Sequence, residues 1–462
     1  MSLKREVSLV QATAINMIDM VGIGPFVVMP LVIAKVHSPL FLWAWIFGAF
    51  CSLVDGMIWS ELGARFPLAG GSYNFLKEAY GKKGGPLMSF LFVWQTCLQA
   101  PLVVASAAIG FSQYFCHLLP LADIKTTMFS GTEVTIPLSI IEKKAVSAIV
   151  VVLVVLLLYR NIKTIGKISV FLWSGVIITI GWIIVSGLTH RQVDYSFMPG
   201  GNNDTMFSWA FAALLGQASI STVYSYLGYY NVCHLGGEII NPQKNIPRSI
   251  FISVFFIAML YLLMNYSIVS VIPWQEAMKS DALVSMFMEH IYGTKAGAIA
   301  TVLVMWIAFA SLFAVVLGYS RVPYAAAADG SFFPIFARLH PTRNFPYISL
   351  LFLGGVGLIF SLLFRLEHAI RAILAMRILV QFIAQSVGII LLRRRTGKEP
   401  LPFKMWLYPV PVILSILIWL FLFYFTGWFA LYGLGLSLAG VGVFYLTKHL
   451  WMKTKTPVNE PL

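Results

Sequence analysis

The sequence predicts an all-α polytopic membrane protein with twelve transmembrane helices, and three observations predict it. Hydrophobic residues make up 59% of the chain and charged residues 11%, against roughly 25% charged in ordinary soluble domains. Apolar runs of about 20 residues, enough to cross ~30 Å of hydrocarbon, recur from one end of the chain to the other. Lys and Arg gather in alternate connections, the pattern that marks the cytoplasmic side of a multi-pass protein.

The twelve runs cover 10–34, 39–62, 86–118, 144–160, 168–189, 206–233, 248–272, 296–325, 346–364, 367–393, 408–426 and 428–450. The first continues well past a signal-peptide core without a small-residue cleavage site, so it is read as retained. The second carries Asp55 and ends at Glu61, and the third holds Gln95 and Gln99. The fifth has no charge until Lys167 at its start. The sixth is interrupted around Gly228, and the eighth offers Ser311. The tenth contains Arg377, Gln381 and Gln385. Tails are short at both ends, so no separate soluble domain is expected.

The net charge of +14 is no sign of nucleic acid. With the N-terminus inside, the tails and cytoplasmic loops hold 22 of the 32 Lys and Arg, which places both termini in the cytoplasm of a cell (inner) membrane and suits anionic lipid headgroups. The four cysteines form no CxxC, and the eight histidines lack metal-ligand spacing. GxSxG, P-loop and HExxH motifs are missing as well. Without clustered carboxylates, His or Cys at one depth, an enzyme is not expected and no cofactor or metal is called for. Transport is the stronger class.

Two interruptions point to a site. "DMVGIGPFVVMP" (19–30) puts an aspartate, two glycines and two prolines inside the first run, and "ISTVYSYLGYYNVCHLGGEIINP" (220–242) weakens the sixth around Gly228. Spans one and six start on opposite sides of the membrane. Broken helices at corresponding positions of two inverted halves are the sequence pointer to a transporter binding site. A break exposes N–H groups on one half-helix and C=O groups on the other, suited to an anion and an ammonium respectively. A zwitterionic amino acid presents both. Asp19 lies at the C-terminal end of the first half-helix, where the dipole disfavours negative charge, so it is read as an amine ligand, a proton carrier or the structural partner of a cation such as Arg377. Asp55 is read as an inter-helix contact, Glu61 and Glu238 as loop or gate residues, and the four glutamines as a polar path or inter-helix bonds.

The same stretches resemble the amino acid–polyamine–organocation superfamily. "GIGPF" (22–26) is similar to its GSGIF, "YSYLGYYNV…GGEIINPQKNIPRSI" (224–250) to its FAFxGWxxV…EEIKNPxRNLPRAI, and "SELGARFPLAGGSYNFLKEAYG" (60–81) to its AELGxxxPxxGGxYxYxxxxxG. "YSRVPYAAAADGSFFPIFARLHPTRNFP" (319–346) and "RRRTGKEPLPFKMWLYPVP" (393–411) match two further connections in order. The resemblance implies a five-plus-five inverted repeat: a cytoplasmic tail over 1–9, helices 1–5 over 10–189, helices 6–10 over 206–393, two additional helices over 408–450, and a cytoplasmic tail over 451–462. It implies alternating access for a small-molecule substrate.

Carried over by position, Ile23 and Gly24 would offer amides to a substrate carboxylate, with Gly22 shaping the break and Pro25 opening the second half-helix. Ile23 stands where the family has a serine hydroxyl. The carbonyls of Met20, Tyr224, Ser225 and Leu227 would face the ammonium, and the Tyr224 ring would close over the ligand. Candidates for gating or coupling are Asp19, Tyr224 and Arg377. The lysine that some members carry in the fifth span aligns with Val176, and Ser311 is thin support for a sodium site, so H+ is the expected coupling ion. The reading is a secondary active transporter of amino acids, proton-coupled or exchanging. Polyamine or other organic-cation transport is the rival, and a transporter-like sensor the third reading.

Overall fold

The computed structural model describes residues 3–119, 121, 124–127, 133–136, 138–193, 209–280, 282–397 and 400–452. Almost all of the expected C-terminal tail, 453–462 of 451–462, lies outside these residues. The helices are α1 (Leu9–Met20), α2 (Gly24–Val36), α3 (Leu42–Arg65), α4 (Ser72–Leu118), α5 (Leu138–Leu158), α6 (Ile162–Thr189), α7 (Trp209–Tyr226), α8 (Asn231–His234), α9 (Pro242–Val269) and α10 (Trp274–Ala277). They continue as α11 (Leu283–Tyr292), α12 (Thr294–Tyr319), α13 (Arg321–Ala328), α14 (Tyr347–Leu363), α15 (Leu366–Arg377), α16 (Ala384–Thr396), α17 (Val410–Phe425) and α18 (Phe429–Met452).

Among the described residues every predicted apolar run overlaps a helix, and eight helical segments are long and apolar enough to cross a membrane. Tyr347–Leu363 and Val410–Phe425 are apolar but shorter. The fold is all-helical as expected, with one small addition. Between α4 and α5 a short antiparallel hairpin pairs β1 (Ile124–Thr127) with β2 (Glu133–Ile136), in the register Ile124↔Ile136 and Thr127↔Glu133. Both stretches are rich in β-branched residues ("IKTT", "EVTI"), which suit an extended backbone.

Local chemistry explains the ends. Ser8 caps α1 in a capping box with Gln11, each side chain taking the other's backbone N–H. Asn161 caps α6 through the Thr164 amide. Gly81 takes φ +65° inside α4 and kinks the helix there.

Packing places the broken elements in the centre. α1 lies against α6, α9 and α12; α2 lies against α7; α3 lies against α7 and α9; and α4 is covered by α12, α14 and α15. The outer faces are apolar instead of polar. On α6, Phe171, Ile178 and Val185, spaced seven apart on one face, are 64%, 66% and 60% exposed. A contiguous apolar stripe of this kind is stable against lipid, not against water.

At the end where α8 and α12 finish, ion pairs tie the elements together. Arg321 donates from Nε and Nη2 to the two carboxylate oxygens of Glu238, both at 3.0 Å, with both side chains buried. Glu238 also accepts, through its backbone carbonyl, the N–H groups of Glu6 and Val7 at 3.0 and 2.9 Å. Arg393 forks onto Glu61, which takes the Met405 amide at 2.8 Å as well. Removing one partner of a buried bidentate pair strands the other charge, at a cost of about 3–5 kcal/mol. Arg321→Ala should therefore lower the melting temperature of the detergent-purified protein far more than Lys77→Ala, whose pair with Asp329 is partly solvated. Size-exclusion thermal melts of the two variants check this.

Candidate substrate site

The first break is built from residues 20 to 25. α1 ends at Met20 because Val21 leaves helical geometry (φ −85°, ψ 71°), and the Val21 amide closes on Met17 O at 2.8 Å. Gly22 N–H turns back to Met20 O at 3.0 Å, and Pro25, within the first turn of α2, has no N–H to place. The amides of Ile23 and Gly24 have no acceptor among the described residues. They are the unfinished N-terminus of a half-helix, where anions are favoured.

The second break follows Tyr226. Leu227 N–H reaches Tyr224 O at 3.2 Å, Gly228 adopts φ +124°, and α8 begins after Asn231 N–H bonds Gly228 O at 2.9 Å. A Cβ on Gly228 would lie 2.7 Å from Met20 N and 2.8 Å from Asp19 C. Only glycine permits that positive φ together with this approach. The two breaks therefore touch backbone to backbone, and the Asn16 side chain pins them by accepting the Val232 amide at 2.8 Å.

Between the breaks lies a cavity of about 40 Å³. The chamber is narrow. Asp19, Met20, Gly22, Ile23 and Gly24 line it from one break, and Tyr224, Ser225 and Leu227 from the other. Arg377 closes a further side, with Ser311 and Tyr319 of α12. The eight residues proposed for the substrate thus meet in one place with Arg377.

The structure revises one detail of how they meet. The Tyr261 hydroxyl, on α9, lies 2.7 Å from Met20 O and 3.1 Å from Ser225 O. Tyr224 O already accepts Leu227 N–H. Three of the four carbonyls assigned to an ammonium thus have partners inside the protein: Met20 O, which also takes Gly22 N–H, has both lone pairs engaged, while Tyr224 O and Ser225 O each keep one for a ligand. Tyr261 was not singled out, since a lone tyrosine in an apolar helix carries no sequence signal of its own.

Tyr224 forms the roof. Its ring is packed against the buried Leu102, Ala369 and Ile373, and its hydroxyl sits 2.8 Å from Ser106 Oγ of α4. The hydroxyl is therefore a latch between α7 and α4, which an account based on the ring alone leaves out. Asp19 accepts from Asn231 Nδ2 at 2.8 Å, and the same nitrogen also reaches Ala314 O at 2.9 Å. Asn231 follows directly on the tyrosine cluster, so its polarity inside an apolar run was the signal to find it by.

Arg377 is 3% exposed. Its Nε donates to Gln99 Oε1, its Nη1 donates to the Tyr230 hydroxyl, and its guanidinium lies 5.2 Å over the Tyr319 ring. Trp59 stacks on Tyr230 at 4.5 Å and holds it in place. Directly after Arg377 the helix runs through a π turn, Ile378–Ile383, a local widening that recurs at functional sites. The other intramembrane charge, Asp55, accepts from Tyr229 at 2.5 Å and from Ser415 and Trp419 at 3.3 Å each, an inter-helix contact joining α3, the second break and α17. Gln95 donates to Ser437 at 2.9 Å, and Gln385 accepts from Ser72 at 2.5 Å. Val176 is buried within α6.

The chain is 27% identical to the human large neutral amino acids transporter small subunit 2, over 98% of this chain and 82% of that protein. It is 25% identical to the serine/threonine exchanger SteT of Bacillus subtilis (strain 168), over 90% of this chain and 89% of the relative. The branched-chain amino acid permease BcaP of the same bacterium is 23% identical, over 92% and 89%. The family model described as amino acid permease matches residues 7–446, so the chain, a multi-pass membrane protein, belongs to the amino acid permeases of the amino acid–polyamine–organocation superfamily.

Proposed function

We propose that this permease is a secondary active transporter that carries amino acids across the cell membrane by alternating access, with the cavity between the two breaks as its substrate site. The observation that supports the reading most is the pair of amides at Ile23 and Gly24, left without acceptors at the edge of a buried chamber. An α-carboxylate supplies the acceptors they lack, while Asp19 and the spare lone pairs of Ser225 and Leu227 receive the ammonium. All twelve helical runs cross the bilayer in this reading, 10–189 and 206–393 form the two inverted repeats, and both termini are cytoplasmic. The polyamine alternative fares worse, because a dication entering this chamber would meet the buried guanidinium of Arg377. Relatives named for amino acids favour the same side.

Asp19 is the carboxylate at the ligand, so we assign coupling to a proton carried there. A sodium-driven cycle would need oxygen ligands from α12, where Ser311 is the hydroxyl beside Gly22. Asp19→Asn should retain binding or exchange while abolishing accumulation driven by a pH gradient in proteoliposomes. Sodium-dependent, pH-indifferent uptake by the unaltered protein would defeat this assignment.

Two further outcomes follow from the geometry. A Cβ on Gly24 already lies 3.1 Å from Ser225 Oγ and 3.5 Å from the Tyr224 ring, so Gly24→Leu should fill the carboxylate position and abolish uptake. Normal uptake by that variant would sink the placement. Tyr224→Phe and Ser106→Ala each remove the same hydrogen bond, worth about 0.5–1.5 kcal/mol. Each should slow uptake by about two- to tenfold, and the double variant no further, whereas Tyr224→Ala should lose most activity. Initial rates normalised to reconstituted protein decide the matter.

A further inference from the structure

The cavity has one polar group that a generic amino-acid site does not require. Arg377 spends Nε and Nη1 on neutral partners, the Gln99 carbonyl oxygen and the Tyr230 hydroxyl, and its Nη2 is buried with no hydrogen-bond partner. An unmatched donor on a buried cation is costly. The ionisable side chains within its electrostatic reach are Asp19, Tyr224, Tyr230, Tyr319 and His234, and among these only Asp19 is a carboxylate. Asp19 is already bonded to Asn231, and no ion pair joins it to Arg377 among the described residues. The two charges line the chamber as separate groups.

We infer that Arg377 is the receptor for a second carboxylate on the substrate, so that this site takes acidic amino acids, aspartate or glutamate. The inference rests on the proposed placement of the α-carboxylate at Ile23 and Gly24 and extends it to the side chain. With those amides engaged by the α-carboxylate, Arg377, on the wall of the same chamber, still has Nη2 without a partner to offer a group on the side chain. A planar guanidinium pairs best with a carboxylate, which accepts two of its N–H groups at once. Charge balance agrees. An acidic amino acid carries one net negative charge, and the chamber becomes singly positive when Asp19 takes a proton. Ligand, proton, Asp19 and Arg377 then sum to neutrality in a place where an uncompensated charge is expensive. A neutral side chain would leave Nη2 unmatched.

The test measures binding to the full-length, detergent-purified protein by isothermal titration with aspartate, glutamate, asparagine, glutamine and leucine. The acids should bind at least about tenfold more tightly than their amides, because a site built around a charged hydrogen bond rejects the ligand that lacks it. Arg377→Gln should invert that ratio by losing the acids and keeping the amides, and Arg377→Lys, which retains the charge without the fork, should fall between. Amides or leucine binding as tightly as the acids to the unaltered protein would overturn the inference, and that ratio holds its meaning even if the Arg377 variants do not fold. Binding of neutral amino acids with no acid preference would overturn this inference alone. Failure of every amino acid to bind would instead overturn the transporter reading beneath it.

Discussion

Inside a bilayer every backbone N–H and C=O needs a partner supplied by the protein, and this chain leaves two helices unfinished at the same depth. The breaks at Val21–Ile23 and Leu227–Tyr230 are tolerated because they face each other and not lipid. Gly228 lets the two backbones touch, Asn16 reaches across to the Val232 amide, and Tyr261 covers the exposed carbonyl ends. The donors at Ile23 and Gly24 remain unpaired among the described residues, as do the amides of Gly228, Tyr229 and Tyr230 at the second break. The rest of the architecture can be understood as the scaffold that keeps water and lipid away from these amides.

Buried charge is handled differently at the two depths of the molecule. Where α8 and α12 end, carboxylates and guanidinium groups are matched in bidentate pairs, Glu238 with Arg321 and Glu61 with Arg393. Around the cavity the opposite holds. Asp19 and Arg377 are each held by neutral side chains, an amide for one and an amide and a phenol for the other. Matched pairs lock elements together, whereas neutral holders keep a charge in position without consuming it. Asp55, held by a phenol, an indole and a hydroxyl, belongs by its partners to the second kind but lies away from the chamber, and it links α17 to the core.

Much of this was legible in the sequence because glycine, proline and isolated charges are loud in an apolar background. "DMVGIGPF" and "YLGYYN" announce the breaks, and the eight proposed substrate residues with Arg377 converge on one chamber. Features that depend on a partner elsewhere in the chain were not legible. Tyr261 is one tyrosine among many until Met20 and Ser225 are brought to its hydroxyl. The Tyr224 latch needs Ser106, more than a hundred positions away. The paired strands 124–127 and 133–136 sit in a connection where pattern alone did not call for strands. The chain's membership of the permease family came from ordered motifs, while the disposition of its carbonyls came only from packing.

The π turn after Arg377 has a consequence for helical phase. An α-helix rotates its side chains by about 100° per residue, and a single i→i+5 turn accommodates one residue more than an α turn does. Everything beyond Ile383 is therefore rotated, relative to an uninterrupted helix, by about that angle. The offset lets one segment address two directions: Arg377 faces the chamber while Gln385 meets Ser72 and Ser386 meets Ser415 on α17. Straightening that turn would keep every residue and every charge but swing the guanidinium off the cavity wall or pull the glutamine from its serine. The segment is thus held in its present rotational setting by one residue of slack, and which groups the chamber presents depends on where that slack is stored.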